Sequence, residues 1–108
     1  MHTDKSKILV VGGDGIIGGA LTRTLLLARV QVCATTRRRE RVREGVSFLD
    51  LAEPDWDALD YHVDVVYLCA ALTDMRRCVA DPAGTRRINV DNLCVLAKRC
   101  ADRGARLV

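Results

Sequence analysis

The chain has 108 residues, 49% hydrophobic and 29% charged, which is the size and balance of one small globular domain rather than a disordered tail. No apolar run approaches the roughly 18 to 20 residues needed to cross a bilayer, and the polar stretch Met1 to Lys7 has no apolar core of a secretory signal. A net charge of +3, from 17 Lys+Arg against 14 Asp+Glu, suits an anionic small molecule and does not by itself imply nucleic acid.

In chain order, Ile8 to Val11 is a short apolar run closed by Gly12 and Gly13, and it reads as a buried strand. From Ile16 the period changes: Ile17, Ala20, Leu21, Thr24, Leu25 and Ala28 recur at helical spacing and predict one apolar helix face. Val30 to Thr36, rich in β-branched residues, reads as a second strand. Arg37 to Glu44 is a charge-rich connection, and Val46 to Leu49 a short third strand. Glu53 to Asp60, with Pro54 and Trp56, predicts a brief helical turn. Val63 to Ala70 is the clearest strand, apolar apart from Asp64.

Asp81-Pro82 reads as an N-cap followed by proline at the first helical position. The helix behind it carries Leu93, Leu96, Ala97, Cys100 and Ala101 on one face and ends at Gly104. Ala105 to Val108 begins another strand and stops within it, which predicts that the natural chain continues. Strands alternating with helices predict a single α/β domain over residues 1–108, with a parallel sheet and right-handed crossovers.

The five cysteines, Cys33, Cys69, Cys78, Cys94 and Cys100, are odd in number and lack C-x-x-C spacing. Most sit among apolar residues, as small buried hydrophobes do, and their usage predicts a reducing, cytoplasmic compartment. The only histidines, His2 and His62, have no ligand-spaced neighbours, so no metal site is expected.

Gly12-Gly13-Asp14-Gly15-Ile16-Ile17-Gly18 follows the first strand and opens the first helix. It reads as G-x-x-G-x-x-G from Gly12 and as G-x-G-x-x-G from Gly13. Such a loop needs glycine for a tight turn, for close backbone approach to a pyrophosphate, and for close packing of helix on strand. The helix N-terminus then offers unpaired N–H groups and partial positive charge to the phosphates. Gly12, Gly15, Ile16, Ile17 and Gly18 are therefore candidate dinucleotide contacts.

Dinucleotide folds often place an acid near the end of the second strand to hold the ribose hydroxyls. Thr35-Thr36-Arg37-Arg38-Arg39 stands there instead. Arginine can hold a 2′-phosphate through two parallel charge-assisted bonds, so Arg37 and Arg38 favour NADP over NAD. Nucleic-acid binding by the Arg37 to Arg43 run is disfavoured by the interspersed Glu40 and by the low aromatic content of 4%.

In these features the chain resembles the extended short-chain dehydrogenase/reductase family, which includes nucleotide-sugar epimerases, dehydratases and 4-keto-sugar reductases. The glycine loop GGDGIIGG is one shared motif. Asp50-Leu51 resembles the pair whose acid contacts the adenine amino group. Leu68-Cys69-Ala70-Ala71 resembles the segment passing under the nicotinamide ribose, and Asn89-Val90 the N-V-x-G element whose asparagine lies near the cofactor. The resemblance spans Lys7 to Val108 and implies a Rossmann-like, doubly wound parallel sheet of order 3-2-1-4-5, truncated at the fifth strand.

The same resemblance implies hydride transfer between NADP and a carbonyl or alcohol carbon, with a nucleotide sugar as substrate. Three departures bear on this. Asn92 replaces the glycine of N-V-x-G, and Arg29 replaces a glycine common before the second strand. The family's catalytic Tyr-x-x-x-Lys is absent: four residues after Tyr61 stands Val65, and four after Tyr67 stands Ala71. The only serines are Ser6 and Ser47, neither placed to assist. The 108 residues are therefore expected to bind cofactor without turning over substrate on their own. The alternative is a non-catalytic NAD(P)-binding sensor or interaction module, whose open sheet edge would invite pairing with a second copy.

Overall fold

Five parallel strands form one sheet of order β3-β2-β1-β4-β5 in the computed structural model of the chain, which describes residues 6–59, 62–69 and 80–108. The strands are β1 (Lys7–Val11), β2 (Gln31–Thr36), β3 (Val46–Phe48), β4 (Val65–Leu68) and β5 (Arg106–Leu107). Helix α1 (Ile16–Leu27) joins β1 to β2. A short α2 (Pro82–Arg86), a π-helical turn (Arg87–Asp91) and α3 (Asn92–Arg103) lead into β5. Among the described residues, the two connections of β3 carry single 3-10 turns, Arg39–Arg41 and Trp56–Ala58. The order is the one implied by the resemblance.

β1 is the centre of the sheet. Leu9 lies opposite Cys33 of β2 and Val66 of β4. Alternate side chains leave a strand on opposite faces, so the continuous run Ile8-Leu9-Val10-Val11 is buried on both. Ile8 and Val10 pack with Ala34, Leu21 and Leu25 on the α1 side. Leu9 and Val11 pack with Val66, Trp56, Leu96 and Cys100 on the α3 side. The sheet is thus wound on both faces.

The helix faces differ in detail from those the periodicity predicts. Along α1, Gly18 is buried and Leu21 and Leu25 are partly buried, whereas Ile17, Ala20, Thr24 and Ala28 are exposed. Gly18 lies so close to the preceding loop that it sets the contact line, turning the packed stripe by one residue. Along α3 the buried stripe is Asn92, Leu96 and Cys100, spaced four apart, and Leu93, Ala97 and Ala101 face outward. A sequence search for apolar residues passes over Asn92, which is why the expected stripe lies to one side of the observed one.

Strand ends are shorter than the apolar runs. The fourth strand spans Val65–Leu68 rather than Val63 to Ala70, because Asp64 turns to the start of β1, accepting from the Lys7 N–H at 2.9 Å through its carboxylate. Ala70, like Cys78, lies outside the described residues. The helix signals hold: Asp81 accepts from the Gly84 N–H at 3.0 Å, and Gly104 closes α3 at φ +77°. Arg29, at the glycine-like position before β2, adopts φ +61°. On the outer face of α3, Arg99 pairs with Asp57, and that hydrogen bond holds the Asp57 carboxyl below the usual carboxylate range.

Candidate functional site

Parallel strands end on the same edge of the sheet, so the C-terminal ends of β1, β2, β3 and β4 lie along it. The strand order reverses at β1, since β2 and β3 lie to one side and β4 and β5 to the other. Ligands of open α/β sheets bind at such a crevice, outside the C-terminal ends of the strands. The loop leaving β1 at that point is Gly12 to Gly15.

β2 holds this loop in place. Thr35 and Thr36 are fully buried. The Gly12 N–H donates to the Thr35 hydroxyl at 2.9 Å, and the Gly13 N–H to the Thr35 carbonyl at 2.9 Å. The Thr36 hydroxyl donates to the Asp14 carboxylate at 2.7 Å and accepts from the Arg38 N–H at 3.0 Å. The sequence shows these threonines only as β-formers; their bonding to a loop 22 or 23 residues away is a tertiary fact.

The glycines divide the work. Gly12 turns the chain at φ +86°, where a side chain is strained. A Cβ on Gly18 would stand 2.0 Å from the Gly12 carbonyl oxygen, and one on Gly13 would stand 2.6 Å from Cβ of Ala34. Both are required by the fold itself. Gly15 is different: its φ is −76°, open to any residue, and a Cβ there would meet nothing nearer than the Gly12 oxygen at 3.7 Å.

Gly15 is also the N-cap of α1, which has no side-chain cap and no acid in its first turn. The first N–H groups of a helix have no intrahelical acceptor. Ile16 and Ile17 flank this helix mouth and are 94% and 74% exposed. Their exposure suits a contact surface better than the packed helix face that spacing predicts for Ile17.

The arginines after β2 sort by contact. Arg39 lies over the Phe48 ring at 3.9 Å from its centroid. Arg41 approaches the Asp14 carboxylate at 3.7 Å. Arg37 and Arg38 are exposed and, among the described residues, pair with no acid. After β3, Asp50 is half-buried, its carboxylate accepting from the Ala52 N–H at 2.9 Å in a tight turn. Leu51 packs against the core on the α3 side. The Asn92 side chain, 8% exposed, donates to the Leu51 carbonyl and ties this turn to α3. Asn89 is half-buried in the π-helical turn one turn earlier. At the end of β4, Cys69 is half-buried, and burial raises its thiol pKa. Ala70 and Ala71 lie outside the described residues.

The structure thus brings the glycine loop, the end of β2 and the end of β3 to one edge of the sheet, with the π-helical turn tied in through Asn92 next to it. Two polar residues there, Asp14 and Asn92, are not among the sequence-derived candidates. No group of three or more His, Cys, Asp or Glu side chains able to hold a metal occurs among the described residues. No described helix is long and apolar enough to cross a membrane.

A sheet of order 3-2-1-4-5 with a glycine turn at its switch point is a Rossmann-type domain of the short-chain dehydrogenase/reductase kind. Residues 6–108 match the RmlD substrate-binding domain, and the chain belongs to that family. It is 29% identical over 110 aligned residues to a dTDP-4-dehydrorhamnose reductase of Mycobacterium tuberculosis, an alignment covering 94% of this chain and 31% of the relative. The chain therefore spans about a third of the length of the curated relatives it matches. Among solved structures, the UDP-glucose 4-epimerase of Thermus thermophilus in complex with NAD superposes with a TM-score of 0.73 at 26% identity, covering 94% of this chain and 36% of that one. MoeE5 in complex with UDP-glucose and NAD gives 0.73 at 25% identity, with 94% and 34% covered.

Proposed function

We propose that this chain is the cofactor-binding portion of a reductase, epimerase or dehydratase that acts on a nucleotide sugar, and that it binds NADP in preference to NAD. The observation that carries the reading is Gly15. The fold needs glycine at Gly12, Gly13 and Gly18, but neither backbone strain nor internal crowding requires it at Gly15. A bare backbone at an uncapped helix N-terminus is what close approach of a pyrophosphate demands. The named structural relatives hold NAD, and one holds UDP-glucose, which supports the same assignment by likeness.

In this reading the Gly12–Gly18 loop and the first turn of α1 hold the pyrophosphate, with Ile16 and Ile17 against the dinucleotide. Asp50 and Leu51 hold the adenine, Arg37 and Arg38 the 2′-phosphate, and Ala70, Ala71 and Asn89 flank the nicotinamide ribose. When bound, the nicotinamide supplies or accepts a hydride. The chain's own residues bind and orient. Proton transfer to the substrate falls to groups outside it, because Tyr-x-x-x-Lys does not occur in the sequence. The outer edge of β5 is where a further strand or a second copy would add.

Titration of NADPH and NADH into the chain, followed by nicotinamide fluorescence, tests this. Binding of both is expected, with NADPH tighter. Gly15→Val is expected to abolish binding while the chain still folds cooperatively, its melting temperature lowered only by the several degrees that a poorer N-cap costs, because the new side chain fills ligand space and not protein space. Unchanged affinity in Gly15→Val would remove the argument. Replacing Arg37 and Arg38 together by aspartate is expected to shift the preference toward NADH.

A further inference from the structure

The end of β2 carries no acid in sequence, yet it carries one in space. The Asp14 carboxylate, borne by the glycine loop, accepts from the hydroxyl of Thr36, the last residue of β2, at 2.7 Å. It is 25% exposed and stands 3.7 Å from an Arg41 guanidinium nitrogen that is itself half-exposed. Thr36 is further fixed by the Arg38 N–H at 3.0 Å. The carboxylate therefore sits at the β2 terminus, close to the segment that bears Arg37 and Arg38, in an orientation held by a buried residue.

We propose that Asp14 is a cofactor-specificity residue: it supplies the acid that accepts from a ribose 2′-hydroxyl, opposes a 2′-phosphate, and so limits the preference for NADP that the arginines create. The inference rests on the cofactor reading above. A carboxylate at the β2 terminus favours a diol, since it accepts hydrogen bonds from both hydroxyls, and repels a phosphate of like charge. Arg41 moderates this repulsion, because its guanidinium partly neutralises Asp14 from the side of the arginine-rich turn. The site is then a balance of opposed charges on two segments that meet only in the folded chain, and it accepts both dinucleotides with modest discrimination.

The test is the ratio of NADPH to NADH dissociation constants in the full chain and in Asp14→Asn, Asp14→Ser and Arg41→Gln. Asparagine keeps an acceptor for Thr36 while removing the charge. Asp14→Asn is expected to move the ratio about tenfold toward NADPH, by tightening NADPH and weakening NADH. Arg41→Gln is expected to move it the opposite way. Asp14→Ser, which removes both charge and reach, should follow Asp14→Asn if one variant folds poorly, as read by its melting curve. A ratio unmoved in Asp14→Asn and Asp14→Ser, with both dinucleotides still bound, overturns the specificity role and leaves the cofactor reading intact. Failure of the unaltered chain to bind either dinucleotide overturns both.

Discussion

The buried side-chain amide of Asn92 donates to the backbone carbonyl of Leu51, 41 residues earlier in the chain. The bond joins the first turn of α3 to the turn after β3, and so fixes Asp50 and Leu51 relative to the sheet. At a position where the resemblance to the N-V-x-G element implies glycine, this chain carries a side chain that reaches across and satisfies a carbonyl. Asn92→Ala leaves that carbonyl unpaired in a half-buried setting. It should cost about 1–2 kcal/mol in urea denaturation, with an unchanged m-value. Asn92→Asp replaces a donor with an acceptor against a carbonyl oxygen and should cost more than the alanine.

Glycine replacements should separate folding from binding. Gly18→Ala puts a methyl 2.0 Å from the Gly12 carbonyl, an approach real atoms do not make. The loop must move, and a loss of about 3 kcal/mol or more is expected in thermal or urea denaturation. Gly15→Ala meets only an ordinary contact at 3.7 Å and should cost at most about 1 kcal/mol, the difference between the two residues at an N-cap. Equal destabilisation by both variants would contradict the division of roles among the glycines.

Arg29 occupies the left-handed region at φ +61°. An L side chain there costs about 1–2 kcal/mol, part of which glycine returns through its larger freedom in the unfolded chain. Arg29→Gly is therefore expected to stabilise by about 0.5–1 kcal/mol, raising the melting temperature by a few degrees.

The thiols should differ in reactivity. Cys94 is exposed and Cys100 is buried in the α3 stripe. Burial raises the Cys69 and Cys100 pKa above that of a free thiol. Alkylation of the native chain at neutral pH should label Cys94 well before Cys100. The raised values also mean that the native state holds its thiol protons longer than the unfolded one. Stability from this source is complete below about pH 9 and is lost as pH rises through the folded values. Replacing both cysteines by alanine should flatten that alkaline loss.

The strands and the glycine loop were legible in the sequence because each is a local signal. A short apolar run closed by Gly12 is a buried strand wherever it occurs, and a period change at Ile16 starts a helix. The order 3-2-1-4-5 came from the resemblance and not from the periods. What local reading could not supply were contacts between segments. The 22-residue reach from Asp14 to Thr36 and the 41-residue reach from Asn92 to Leu51 leave no trace in spacing. The same blindness shifted both helix faces, since the polar Asn92 and the side-chain-free Gly18 define contact lines that a hydrophobicity pattern ignores. The π-helical turn at Arg87–Asp91, which carries Asn89, also has no composition signature.

The central place of β1 has a consequence for synthesis. β1 leaves the ribosome first, and β2 and β3 follow within one helix and one turn, but its other neighbour comes late. Lys7 must wait for Asp64, 57 residues on, before its second edge is paired. At roughly 5–20 residues per second, that edge stands bare on the nascent chain for several seconds. During that interval the half-sheet β3-β2-β1 displays its most apolar strand as its border. A translational pause between β3 and β4 would lengthen the exposure, and codons that slow the ribosome there should lower the yield of soluble protein without changing one residue.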